Sequence, residues 1–136
     1  MTNPPKSLKT MHLLLWAAQV ILAASFSWAA GMKLFQPIET LAVMWPWAGQ
    51  VPVSLVKGTG IVDLLGAVGL ILPALFRLKP LVTPLAASCL VVLMVCAGIF
   101  HLVRGEASQI GTNVFFAVMA AFVAWGRVRK APISSR

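Results

Sequence analysis

Acidic residues are nearly absent from this sequence. Its 136 residues include three, Glu39, Asp63 and Glu106, against eleven Lys and Arg, for a formal net charge of +8. Charged residues make up 10% of the chain, where a soluble domain carries about 25%, so an ordinary soluble globular domain is excluded. Two cysteines and two histidines form no metal-ligand motif, since His12 and His101 fall at opposite ends of any bundle this chain could build. Cys89 and Cys96 are seven apart; on one helix that spacing separates them by ~10 Å, beyond disulfide reach. They read as packing residues rather than a redox pair. A glycine-rich phosphate loop, a haem-attachment motif and a Ser-His-Asp set are also missing, which removes the chemistries those motifs serve.

What the chain has is apolar length. It is 60% hydrophobic with a mean hydropathy of +0.91, and its size suits one compact domain. Four runs, His12 to Met32, Val53 to Phe76, Leu81 to Val103 and Gln109 to Gly126, reach the roughly 20 residues that a helix needs to cross a hydrocarbon core. They are continuous and rich in Leu and Ala, without the alternation of barrel strands. The basic residues form short clusters between these runs rather than a stripe, which is the mark of membrane topology and not of nucleic-acid binding. Lys6, Lys9, Arg77, Lys79, Arg127, Arg129, Lys130 and Arg136 fall on one side, and Lys33, Lys57 and Arg104 on the other. By the positive-inside rule both termini are expected in the cytoplasm. Trp16 and Trp125 then fall near the inner boundary, and Trp28, Trp45 and Trp47 near the outer one. Lys6 and Lys9, the apolar stretch and Ser27-Trp28-Ala29 also fit a cleavable signal peptide, but the stretch is long for a signal and a retained span is expected.

The expected fold is therefore an all-α membrane protein, a four-transmembrane-helix bundle. Residues 1–11, with Pro4 and Pro5, read as a cytoplasmic tail, residues 12–126 as the bundle, and residues 127–136 as a basic cytoplasmic tail. Arg77 to Pro80 leaves room only for a tight turn between neighbouring spans. The longer connection, Lys33 to Pro52, holds Pro37 and Glu39 at a helix start and then turns apolar through Trp45. It reads as a short interfacial helix anchored by Trp45 and Trp47, or equally as a lid packed over the bundle.

At 100° per residue, Asp63 shares its face with Val56, Thr59, Gly60, Gly66, Ala67, Leu70 and Ala74, opposite Ile61, Leu65, Val68 and Leu72. Small residues mark close helix contacts, so Asp63 points into the bundle; facing lipid it would cost several kcal/mol. His101 shares a face with Ala87, Met94 and Gly98, Asn113 one with Ala117 and Ala120, and Lys33 one with Gln19 and Phe26. The two cysteines fall on the side away from His101. Lys57 is rotated away from Asp63 and is expected to snorkel to the interface. Lys33, Asp63, His101 and Asn113 thus converge from four spans on one outer-side pocket, Asp63 deepest, ~9 Å below Lys57 at 1.5 Å per residue. They are the candidate ligand-binding residues, and Asp63 and His101 the candidates for proton transfer, as a carboxylate and an imidazole turned toward one cavity. A purely structural role, a Lys33–Asp63 pair fixing helix register, remains open beside it.

The stretches AAGMKLFQP (29–37), KGTGIVDLLGAVGLILPAL (57–75), FHLVRGE (100–106) and NVFFAVMAAFVAWGR (113–127) resemble the DoxX-like family of small four-helix membrane proteins. Asp63 stands at a position that is usually glutamate-like there, one methylene shorter. The resemblance implies a multi-pass protein of the bacterial inner membrane. It also implies a link to quinone-dependent sulfur oxidation or oxidative-stress complexes, with relatives that assemble other membrane proteins. Accordingly the expected function is an accessory subunit of an oxidoreductase system whose pocket takes a quinone or another lipophilic ligand. The alternative is a non-enzymatic assembly or scaffolding subunit. The expected partners are the lipid bilayer and a membrane or redox protein, or a second copy of the chain. No metal and no nucleic acid is expected.

Overall fold

The computed structural model describes residues 6–135; Pro4, Pro5 and Arg136, used above for the tail and the charge count, lie outside the described residues. Helices α1 (Lys6–Phe35), α2 (Ile38–Met44), α3 (Val53–Phe76), α4 (Val82–Val103) and α5 (Ala107–Trp125) follow in order. A 3-10 turn, Pro46–Gly49, comes after α2, and a π turn, Gly126–Lys130, continues α5. Among the described residues there is no strand, and α1, α3, α4 and the extended α5 are long and apolar enough to cross a membrane. The all-α membrane bundle with four spans is the observed architecture.

The boundaries differ at the two ends of the chain. The first helix begins at Lys6 rather than at His12, so residues 6–11 are helical and continuous with the first apolar run. No Gly or Pro interrupts this stretch, and Lys6, Leu8, Lys9 and Met11 favour helix. Residues 127–130, expected in the basic tail, are wound with Gly126 onto the end of α5. Between α3 and α4 the turn is as tight as expected: Arg77 caps α3 in the left-handed region at φ 55°, and Leu78 N–H returns to the Pro73 carbonyl at 3.1 Å.

The helices form a ring in which α1 packs on α3, α3 on α4, α4 on α5, and α5 back on α1. Its core is Leu22, Phe26, Leu70, Leu90 and Val123 with small alanines between them. Glycine on the Asp63 face sets how closely α3 and α4 approach. A Cβ on Gly66 would lie 2.6 Å from Leu90 Cδ2, so the Leu90 side chain occupies the space a larger residue would need. Polar ties reinforce the crossings. Thr83 Oγ1 donates to the Gly69 carbonyl at 3.1 Å, and Gln19 Nε2 donates to the Leu70 carbonyl at 2.6 Å. Bulky side chains such as Leu65, Val92 and Val118 point outward and stay exposed, as a lipid-facing surface requires.

The segment between α1 and α3 packs on the bundle. Leu41 and Ala48 are buried against Val56, with Met32, Ile38, Trp45, Trp47 and Val51 around them. Of the two readings of this connection, the lid describes its packing.

Candidate functional site

The site grows from the place where the end of α1 crosses the start of α3. A Cβ on Gly60 would lie 2.9 Å from the Cβ of Lys33, so glycine there lets the lysine stem pass. Lys33 Nζ then reaches Asp63 Oδ2 at 2.8 Å. The Asp63 residue is 1% exposed, and the pair links two spans in the way that an intramembrane carboxylate requires. Over the ammonium lie the Trp45 and Trp47 rings, with centroids 5.9 and 5.8 Å from Nζ, within cation–π range. The ion pair thereby fixes the lid as well as the helix crossing.

Trp47 carries the arrangement to α4. Its ring packs edge-on against Phe100 at 6.0 Å and His101 at 6.4 Å. His101 is buried, and its Nδ1–H donates to Glu106 Oε1 at 3.1 Å. The connection doubles back to make this possible: Gly105 adopts φ 74°, and Glu106 N–H bonds to the His101 carbonyl at 2.8 Å. Arg104 Nε donates to the same Glu106 oxygen at 2.7 Å, and its guanidinium also bonds to Gln50 of the lid segment. The Arg104 and His101 hydrogen bonds hold the Glu106 carboxyl below the usual glutamate range. With Nδ1 engaged, the free nitrogen of His101 is Nε2, an acceptor while the ring is neutral.

Beside His101, between α3 and α4, lies an apolar slot of about 200 Å³. Trp47 and Phe100 give it aromatic walls, Leu55 and Leu93 aliphatic ones, and Thr59 and His101 its polar groups. Cys96 also lines it, although helical periodicity puts this cysteine on the side away from His101. Both cysteines are free thiols.

Of the four converging candidates, Lys33 and Asp63 are in direct contact, and His101 is joined to Lys33 through Trp47. Asp63 does not line the slot, and no hydrogen bond joins it to His101. Asn113 stands apart. It faces two other hollows, one of about 510 Å³ with Ser25, Trp28 and Thr112, and one of about 300 Å³ against Gly98 and Leu102. Its Nδ2 is buried there without a partner. Lys57, expected to snorkel, donates its ammonium to the Leu34 carbonyl at 2.7 Å, satisfying a free acceptor at the end of α1.

Sequence reasoning missed two residues. Glu106 carried a signal, as an acid five positions after a histidine with a glycine between them. Arg127 did not, because it sits in a basic cluster expected in a tail, yet it is 2% exposed. It donates to Gln19 Oε1 at 2.7 Å at the opposite end of the bundle. Among the described residues no cluster of three His, Cys, Asp or Glu side chains could hold a metal ion.

No curated protein and no solved structure matches the chain. The model of the DoxX-like family matches residues 17–123, from the middle of α1 to the last turn of α5, and the chain belongs to this family.

Proposed function

We propose that this integral membrane protein takes the flat head of a lipophilic ligand, with a quinone as the expected class, into the slot beside His101, as an accessory subunit of a membrane redox complex. The observation that carries the reading is buried His101, held by the half-buried Glu106 carboxylate and standing on a slot with aromatic walls. At about 200 Å³ the slot is smaller than the roughly 300–1,000 Å³ of sites that enclose a drug-sized ligand. It suits one ring, with any tail left to the surrounding lipid. A quinone bound there would supply two-electron, two-proton redox chemistry. The chain's own part is to present His101 Nε2 as the acceptor for a hydroxyl proton of the reduced, quinol form, with Glu106 holding the Nδ1–H and stabilising the charged ring. Thr59 offers a second hydrogen-bonding group.

In this reading Asp63 is a positioning residue. Its carboxylate is taken up by Lys33, and Lys33 in turn seats Trp47, a wall of the slot. Asn113 belongs to a separate hollow and takes no part. By the distribution of basic residues the His101 end faces outward from the bacterial inner membrane and both termini face the cytoplasm.

The test is extraction and mass spectrometry of small molecules retained through gentle purification. Wild-type protein carries a lipophilic ring compound, and Ala97→Phe, which fills the slot from α4, loses it. Equal retention by both would remove the slot from consideration. A scaffolding role predicts instead a stable protein partner whose capture is unchanged by Ala97→Phe.

A further inference from the structure

We infer that the opposite end of the bundle holds a second site, built for the phosphate of an anionic phospholipid. The observation is a charge with no counter-charge among the described residues. Arg127 is 2% exposed, and its partners are all neutral: Gln19 Oε1 at 2.7 Å, His12 Nδ1 at 2.9 Å and the Ala131 carbonyl at 2.9 Å. The Trp16 ring lies 5.6 Å from its guanidinium carbon, and Nη2 is buried with no partner. All three acids lie elsewhere. Asp63 is held by Lys33, Glu106 by Arg104 and His101, and Glu39 is in the first turn of α2 at the lid. A buried cation with no anion beside it among the described residues is a costly arrangement unless something outside the chain compensates it.

The space for that partner is adjacent. A cavity of about 480 Å³ is lined by Lys9, His12 and Lys130, with Leu8, Leu13 and Pro132 as its apolar wall. His12 and Ala131, both on its surface, accept hydrogen bonds from the same Arg127 nitrogen, Nη1. The guanidinium therefore stands one layer behind the cavity. Because a guanidinium only donates, His12 Nδ1 is an acceptor, which leaves the His12 Nε2–H as a donor. A Cβ on Gly126 would lie 2.4 Å from Leu15 Cδ2, so glycine lets the end of α5 close on α1 and form the site. Two ammonium groups, an imidazole N–H and a buried guanidinium above a leucine wall match a phosphodiester with acyl chains. They do not match a zwitterionic head, and the apolar wall has no use for a free anion. Basic pockets between spans take anionic headgroups by this chemistry.

The test uses native mass spectrometry of the full chain in mild detergent, titrated with phosphatidylglycerol or with phosphatidylcholine of the same acyl chains. Wild type retains phosphatidylglycerol at least tenfold better. The double variant Lys9→Gln/Lys130→Gln loses the preference, and Lys9→Arg/Lys130→Arg keeps it. Arg77→Gln/Lys79→Gln removes the same charge from the same end but away from the cavity, and it leaves the preference intact. Equal binding of the two lipids overturns the proposal, as does equal loss in the Arg77/Lys79 variant, which marks surface charge only. Complete displacement of phosphatidylglycerol by millimolar inorganic phosphate overturns it too, in favour of a free anion.

Discussion

Removing the Asp63 carboxylate leaves Lys33 beside two indoles with no anion, and breaking a buried pair from one side costs about 3–5 kcal/mol. The Lys33 side chain keeps a small opening, 13% against 2% for Asp63, so Asp63→Asn is expected to cost somewhat less, about 2–3 kcal/mol. The double replacement Lys33→Met/Asp63→Leu removes both charges and is expected to lose less than Asp63→Asn, as read by unfolding in detergent. A larger loss in the double variant would show that the pair has a positive worth of its own. Glu106 gives a pH signature. Its pKa is depressed in the folded state by Arg104 and His101, so the stabilisation is present above its unfolded value of about 4.3. It is lost as pH falls through the lower folded value. Melting of wild type is therefore expected to weaken on acidification in that region more than melting of Glu106→Gln. Asp63 was legible in the sequence as an inward carboxylate because helical periodicity alone sets its direction. Glu106 left only the spacing from His101 across Gly105, since the turn that returns it to the histidine has no period to read.

At the scale of elements, close approach is set by glycines whose neighbours can be named. Gly66→Leu forces its side chain into Leu90 and is expected to destabilise by about 1–3 kcal/mol, the range for overpacking. Gly111 lies in α5 with nothing within 4 Å of a would-be Cβ. Gly111→Ala is expected to gain about 0.5–1 kcal/mol from helix propensity. Thermal unfolding of the two variants separates packing from propensity. The four spans were readable because an apolar run of sufficient length admits few alternatives. The ends of α1 and α5 were not, because basic residues stop a hydropathy count without stopping a helix. Lys6 and Lys9 continue α1, and Arg127 folds inward on a π turn that charge alone does not foretell. The lid shows a third case. Trp45 and Trp47 read as interfacial anchors, and they are turned instead toward the Lys33 ammonium.

As a whole molecule the bundle separates two polar ends. One holds all three acids with Lys33, Arg104 and His101, and the other holds Arg127 with Lys9, His12 and Lys130. The tryptophans follow the same division, with Trp28 packed on Trp45 at one end and Trp16 and Trp125 beside Arg127 and Lys130 at the other. Reporter fusions at both termini are expected to read cytoplasmic. The central claim concerns the His101 end, and it is tested most directly by titrating purified protein with a short-tailed, water-soluble quinone while following Trp47 fluorescence, isolated by difference from Trp47→Phe. Saturable quenching that disappears in Ala97→Phe is the predicted result. Quenching that is the same in wild type and Ala97→Phe would contradict the account.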